Sequence, residues 1–185
     1  VTRTYGAFDA DGKGGALYYN HLTTLCTDEE LCMLHRLRDS VLNDVSAILG
    51  KPVYPFRSSM WNVFYLAYTG TQGQFGWHYD HEEKTDYRVL ICVDATDGAG
   101  AVEFIDSAGA VQSVELATGE AYVLCGSQTY HRVRPNKTDK DRRIMLGFQC
   151  STVPDKSTLN MCYFANLTGW RVLPSLQILW NQQYY

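Results

Sequence analysis

The chain has no apolar run long enough to cross a membrane as a helix. None of its 6 cysteines, at positions 26, 32, 92, 125, 150 and 162, forms a CxxC pair, which sets aside zinc-ribbon and thioredoxin-like readings. Basic charge is not in excess: the formal net charge is −4, which argues against broad nonspecific binding to nucleic acid. There is no internal repeat and no low-complexity segment. No signal peptide is visible, yet the sequence opens on Val1 rather than Met, so a trimmed or processed N-terminus is expected.

What is present is an ordinary globular composition, 45% apolar and 19% charged, over a length of 185 residues that suits one domain with a sizeable core. The 13 Tyr and 4 Trp favour strands and ligand-lined cavities. Cys92 in "VLICV" and Cys125 in "YVLCG" read as buried free thiols, which favours a reducing, cytoplasmic setting. Two sequons, at Asn136 and Asn166, point instead toward the secretory pathway.

Three stretches divide the single domain, 1–185. Residues 1–59 form an N-terminal segment whose first 20 residues, rich in Gly and Tyr, read as irregular. Within it, 27–49 is a helix: Thr27 and Glu30 make a capping box, and Gly50 and Pro52 stop the helix. Leu31, Leu34, Leu37, Val41, Leu42, Val45, Ile48 and Leu49 give it one apolar face. Residues 60–150 carry eight strand-like runs, about 60–68, 74–80, 87–94, 101–106, 111–116, 120–125, 129–134 and 142–150, separated by turn signals such as "TDGAG" and "DSAG". Short strands at this spacing predict a mainly β sandwich or barrel with a supporting helix. Residues 151–185 are expected to pack on the sheets as a short helix or strand.

The stretch "GQFGWHYDHEEK", 73–84, poses the chemical question of a metal-binding edge or a polar turn. On a strand His78 and Asp80 face one way and Trp77 and Tyr79 the other. A third ligand is offered by His131 in "GSQTYHRVRP", and two His with one carboxylate form the facial triad of non-haem Fe(II) oxygenases. His21 and His35 lack such a setting, and His81 reads as an outer or surface residue. In "RRIMLGFQ", 142–149, the alternation puts Ile144, Leu146 and Phe148 against the helix. Arg143, Met145, Gly147 and Gln149 then face a cavity. Arg143 there could clamp a carboxylate, with Arg142 the alternative if the register slips by one. Trp61, Trp77 and Tyr130 read as packing. The basic run 132–143 reads as a solvated loop or as a lure for an anionic substrate.

The order His78-x-Asp80, His131, Arg143 resembles the Fe(II)- and 2-oxoglutarate-dependent dioxygenases, nearest the prolyl-hydroxylase-like branch. "AYTGTQGQFGWHYDH" is similar to that branch's first two core strands, and "GEAYVLCGSQTYHRVRP" to its later His-x-Val-x-Pro segment. The resemblance implies a double-stranded β-helix (jelly-roll, cupin-like) core over 60–150. It implies catalytic iron held by His78, Asp80 and His131, and 2-oxoglutarate held by Arg143 with help from Tyr68. It implies O2 as oxidant, ascorbate as a stimulant, and hydroxylation or another oxidation of a small molecule or amino-acid side chain. Met145 stands where many relatives carry Ser, and "GAGAVEF" matches the usual "GGxTxF" only loosely, which leaves the substrate open. Peptidyl-prolyl hydroxylation is the nearest alternative reaction. A non-catalytic cupin-like metal or ligand binder is the alternative of another class, and nucleic-acid demethylation is disfavoured. A small-molecule or peptide partner is expected, with neither nucleic acid nor membrane.

Overall fold

The computed structural model describes residues 3–8, 14–21, 26–56, 63–80 and 83–154, with backbone alone for the segments before residue 22. Eleven strands and one helix follow in chain order: β1 (Arg3–Phe8), β2 (Gly14–His21), α1 (Asp28–Leu49), β3 (Tyr54–Pro55), β4 (Phe64–Thr69), β5 (Phe75–His78), β6 (Asp86–Ala95), β7 (Val102–Ile105), β8 (Val111–Val114), β9 (Ala121–Leu124), β10 (His131–Val133) and β11 (Arg142–Ser151). Two antiparallel sheets result. The larger runs β1-β2-β4-β11-β6-β9, with β3 also pairing β11, and the smaller runs β5-β10-β7-β8. The chain passes between the sheets from β4 to β5, β5 to β6, β6 to β7, β8 to β9, β9 to β10 and β10 to β11. This is the jelly-roll form of the double-stranded β-helix. The eight expected strands over 60–150 correspond to β4–β11, with ends displaced by a few residues.

The N-terminal residues correct one expectation. Residues 3–8 and 14–20 are not irregular: β1 and β2 pair antiparallel and extend the large sheet, with Tyr18 opposite Ala67 and His21 opposite Phe64 on β4. An edge extension is held by backbone hydrogen bonds, so it does not need the sharp alternation that marks a strand in sequence. The expected packing of the tail and of Trp61, and the outer role of His81, fall on residues outside those described.

Helix α1 begins where its sequence says. Thr27 Oγ1 accepts from the Glu30 backbone at 3.3 Å, and Glu30 Oε2 accepts from the Thr27 backbone at 2.8 Å. Gly50 closes the helix at φ 66°, a left-handed conformation that glycine adopts without steric cost. Leu42 and Val45 are buried against Val89, Leu146, Phe148 and Cys150 of the large sheet, with Leu34, Val41 and Leu49 around them. Leu37 and Ile48 depart from the expected apolar face: both are exposed, and Arg38 occupies the buried side instead. Its guanidinium leans to Asp39 at 2.7 Å, which lets the aliphatic stem serve as packing. Among the described residues no helix is long and apolar enough to cross a membrane.

Between the sheets lies a second cluster of Phe64, Leu66, Tyr68, Leu90, Cys92, Val133 and Met145. Strand β11 therefore serves both cores. Leu146 and Phe148 face the helix, while Arg143, Met145 and Gly147 face the space between the sheets. The register β11:β4 sets Arg143 beside Tyr68, Met145 beside Leu66, and Gly147 beside Phe64. A Cβ at Gly147 would lie 2.2 Å from the Phe64 ring, so glycine is required for that ring to fold across the strand. Cys92 is buried as expected, whereas Cys125, expected to be buried, is half-buried just past the end of β9; Cys150 is also buried, Cys26 half-buried and Cys32 exposed, and none of these five is in a disulfide.

Asn136 acts as a structural tie. Its Oδ1 accepts from Gly100 N at 2.9 Å, and its Nδ2 donates toward the carbonyls of Tyr68, Gly70 and Asp141 at 3.2, 3.0 and 3.1 Å. The side chain is buried, which removes it as a glycan acceptor in the folded protein. One amide thus joins the end of β4, the loop before β7 and the approach to β11. Replacing Asn136 by Ala leaves these groups unsatisfied, and urea unfolding is expected to show a loss of about 3 kcal/mol. A loss under about 0.5 kcal/mol would mean the tie is dispensable.

Candidate metal centre

The smaller sheet sets the two histidines together. Strands β5 and β10 pair with His131 directly opposite His78, and cross-strand partners in an antiparallel pair project to the same face. The rings lie 4.2 Å apart between centroids. Asp80 follows two residues after His78, just past the end of β5, where its backbone N–H donates to Gly126 O at 3.0 Å. Its carboxylate reaches His78 Nε2 at 3.5 Å and His131 Nε2 at 3.8 Å. Potential ligand atoms of all three residues lie within 4.8 Å of one another. On the opposite face, Trp77 stacks on Tyr130 at 5.4 Å and Tyr79 lies 4.9 Å from the same ring. The alternation seen in the sequence is the alternation of the strand.

The imidazoles are oriented for a cation. His78 Nδ1 is 2.7 Å from Gly76 O, and His131 Nδ1 is 2.8 Å from Thr129 O. A carbonyl can only accept, so each Nδ1 carries the hydrogen and each Nε2 keeps a free lone pair facing Asp80. Burial pushes the His131 pKa down, against the pull of Asp80, and favours the neutral imidazole a metal needs. For Asp80, burial alone would raise the pKa. The Arg88 guanidinium is the foremost of the effects that outweigh it and hold the carboxyl well below the usual range.

The residues fit a divalent ion by observation. Asp80 Oδ2 is buried and has no hydrogen-bond partner. Two imidazoles and a carboxylate are a donor set suited to Fe(II) with open positions. Gly126 completes the space: a Cβ there would stand 2.1 Å from Asp80 Oδ2.

A cavity of about 40 Å³ opens beside the triad, lined by Tyr68, Phe75, Arg88, Tyr122, Leu124 and Val133 among others. Arg143 does not line it but packs against Tyr68, which does: it is 2% exposed, with Nη1 donating to Gly100 O and its guanidinium 4.9 Å over the Tyr68 ring. Arg143 Nε has no partner. Arg142 points outward and pairs with Asp94 at 2.5 Å, so the register places Arg143 and not Arg142 inside. Tyr68 is deeply buried and Tyr122 partly buried. Desolvation pushes both phenols up despite the nearby guanidiniums, so each stays protonated and able to donate. These side chains can hold a small carboxylate-bearing ligand between the arginine and the triad. A larger cavity of about 710 Å³ adjoins through Tyr122 and Leu124, and is lined by Tyr79, Phe104, Thr129 and Tyr130.

No family model and no curated protein sequence matches the chain. Solved structures do. An oxidoreductase of the 2OG-Fe(II) oxygenase family from Burkholderia pseudomallei superposes with a TM-score of 0.65 at 15% identity, over 83% of this chain and 74% of that one. The fold is the one found in 2-oxoglutarate–Fe(II) oxygenases. The non-haem α-ketoglutarate-dependent epimerase SnoN from nogalamycin biosynthesis matches with a TM-score of 0.58 at 16% identity, over 81% of this chain and 65% of that one. AviO1 from Streptomyces viridochromogenes Tue57 matches with a TM-score of 0.57 at 17% identity, over 85% and 75%.

Four residues around the site were not singled out by sequence reasoning. Arg88 and Tyr122 had a signal: Arg88 alternates with Leu90 and Cys92 on the inward side of β6, and Tyr122 pairs with Leu90. A lone charge in an inward register is the mark to look for. Gly126 lay in the small-residue turn "CGSQ", and Asn136 had only its sequon. The basic run is mostly exposed, in keeping with the solvated-loop reading: Arg134, Lys137, Lys140 and Arg142 face solvent, and of its basic residues only Arg143 is buried. Arg132 and Arg134 reach Glu103 at 2.6 and 3.6 Å, Arg142 pairs Asp94 and Arg143 is buried.

Gly126→Ala should fold normally, because its backbone is not left-handed. It should nonetheless weaken Mn²⁺ binding by at least about tenfold through displacement of Asp80. Unchanged affinity by calorimetry would show that Asp80 has room to spare.

Proposed function

We propose that this protein is an Fe(II)- and 2-oxoglutarate-dependent oxygenase that oxidises an unactivated C–H bond of a small molecule or amino-acid side chain. The observation that carries the reading is the convergence of His78, Asp80 and His131 within 4.8 Å beside a cavity lined by Tyr68, against whose ring a buried arginine packs. His78, Asp80 and His131 would hold the iron. Arg143 would take the distant carboxylate of the 2-oxo acid, its unpaired Nε supplying an available donor, and Tyr68 would flank it. When bound, iron with O2 and the 2-oxo acid supplies the oxidising power, with succinate and CO2 as by-products.

The chain's own residues supply the rest. The two Nδ1 hydrogen bonds fix the imidazole orientations, and Leu66, Phe75, Leu90 and Val133 keep bulk water from the cavity. Tyr68 and Tyr122 remain neutral donors. The adjoining 710 Å³ cavity is of a size for a small-molecule substrate, and its aromatic walls suit a compact organic group more than a charged polymer. SnoN is named as an epimerase, so hydroxylation is one outcome among several to be sought.

Titrating 2-oxoglutarate into the anaerobic Fe(II) protein should produce a weak visible charge-transfer band, and Arg143→Ala should weaken the acid's affinity by at least about tenfold. Iron binding without a band would favour a cupin-like binding protein. Failure to bind iron would reduce the triad to hydrogen-bonded strand ends.

A further inference from the structure

The outer cavity of about 710 Å³ is sorted by charge in the opposite sense from the inner one. Arg88 lines the inner cavity, and Arg143 packs against the Tyr68 ring that lines it. Among the described residues that line the outer cavity, Asp106 alone is charged. It shares that lining with the rings of Tyr79, Phe104, Tyr122 and Tyr130. Tyr79 and Tyr130 lean on each other at 4.9 Å between centroids, with Tyr79 54% exposed. The face of an aromatic ring carries the negative part of its quadrupole, so the rings and the carboxylate offer a potential of the same sign.

Asp106 follows the end of β7, where the chain turns toward β8. Its Oδ1 accepts from the backbone N–H of Ala108 and of Ala110, both at 2.9 Å, and its Oδ2 accepts from Gln112 Nε2 at 2.7 Å. These bonds hold the carboxylate in place. The Gln112 bond foremost, they also keep the carboxyl below its usual range, so it is ionised at neutral pH. Every one of the donors is a neutral amide, and among the described residues no cationic side chain pairs with Asp106. The charge is fixed in position but not cancelled. An ionised carboxylate oxygen can accept more than one hydrogen bond, so Oδ2 keeps capacity for a further donor.

The two cavities meet at Tyr122 and Leu124, which line both. A molecule in the outer cavity can therefore approach the triad with one end and keep the other beside Asp106 and the rings. An organic cation is attracted by the carboxylate and by the ring faces together. A neutral ring compound would use the ring faces alone, and an anion would meet repulsion. Building on the function proposed above, we propose that the substrate is a small organic cation whose ammonium group is held in the outer cavity by Asp106 and the surrounding rings, with the carbon to be oxidised directed toward the metal centre. The positive side chains at the inner cavity favour the same orientation, because they turn a cationic end outward.

The test is a ligand-observed NMR titration with choline and with 3,3-dimethylbutan-1-ol, its neutral counterpart of the same shape. Wild type should bind choline at least about fivefold more tightly than the alcohol. Asp106→Asn keeps an oxygen for the Ala108 and Ala110 N–H groups, so the turn survives. It should bring choline down to the affinity of the alcohol and leave the alcohol unchanged. Tyr79→Leu should weaken choline about threefold, and Tyr79→Phe, which keeps the ring, should restore it. Equal affinity of wild type for the two probes, or no binding of choline, would overturn the proposal. So would a choline preference that persists in folded Asp106→Asn. The titration is run without added metal, so it does not depend on the triad. If choline is preferred but neither iron nor 2-oxoglutarate binds, the cation site stands and the oxygenase reading falls. If iron and 2-oxoglutarate bind but choline is not preferred, the oxygenase reading stands and the cation site falls.

Discussion

Pairing of β5 with β10 sets His78 opposite His131, and the Asp80 carboxylate enters the same buried corner from the end of β5. Everything near that corner answers the electrostatic problem it creates. A carboxylate 7% exposed would ordinarily neutralise by taking up a proton. Here the Arg88 guanidinium lies beside it and keeps it ionised. The imidazoles in turn are fixed by carbonyls of their own strand regions, which leaves the facing nitrogens as acceptors. A small change in the pairing of β5 and β10 would undo the whole arrangement, because a one-residue slip turns a side chain to the other face of the sheet.

The second constraint is the division of labour along β11. Its ten residues lie between β4 and β6 at the centre of the large sheet, with one face covered by α1 and the other lining the space between the sheets. The apolar face binds the helix and supplies much of the burial. The other face carries Arg143, Met145, Gly147 and Gln149, a mixture that would be costly in a plain core. The fold tolerates it because each member has a specific complement. Tyr68 lies under Arg143, Leu66 and Cys92 flank Met145, and the Phe64 ring covers Gly147. Stability from one face thus supports polar groups on the other.

This division explains what could be read in the sequence. Alternation in "RRIMLGFQ" separated the two faces because the pairing of β11 with β4 runs unbroken from Arg142 to Gly147. Helix α1 was legible through its capping box and Gly50, which are local features. A sandwich or barrel was legible through the spacing of turns, and the jelly roll through the resemblance carried by the His-x-Asp and His-x-Val-x-Pro segments. Residues whose roles depend on distant partners were less visible. Nothing in "RPNKTD" says that Asn136 will meet three carbonyls from two segments and a backbone N–H from a third, and nothing in "CGSQ" says that Gly126 will lie against Asp80. The N-terminal strand pair was missed because its pairing to β4 is a backbone matter. Leu37 and Ile48 were assigned to a face that Arg38 occupies, since a long stem can pack as well as a leucine while its head finds water or a partner.

The charge pattern of the cavity also bears on its ligand. Counting the inward groups near the triad gives Arg88 and Arg143 against Asp80, with Tyr68 and Tyr122 neutral. That surplus of one positive charge rises by two when a divalent ion arrives. Glu103 between Arg132 and Arg134 in the smaller sheet carries the same surplus, so charge count alone does not mark a ligand site. What sets this corner apart among the described residues is an arginine nitrogen without a partner beside two protonated phenols. The same surplus disfavours a cationic ligand there, so an ammonium-bearing substrate would have to keep that group in the outer, aromatic cavity. Recognition of the anion and recognition of the substrate are in this way assigned to different walls of one jelly roll.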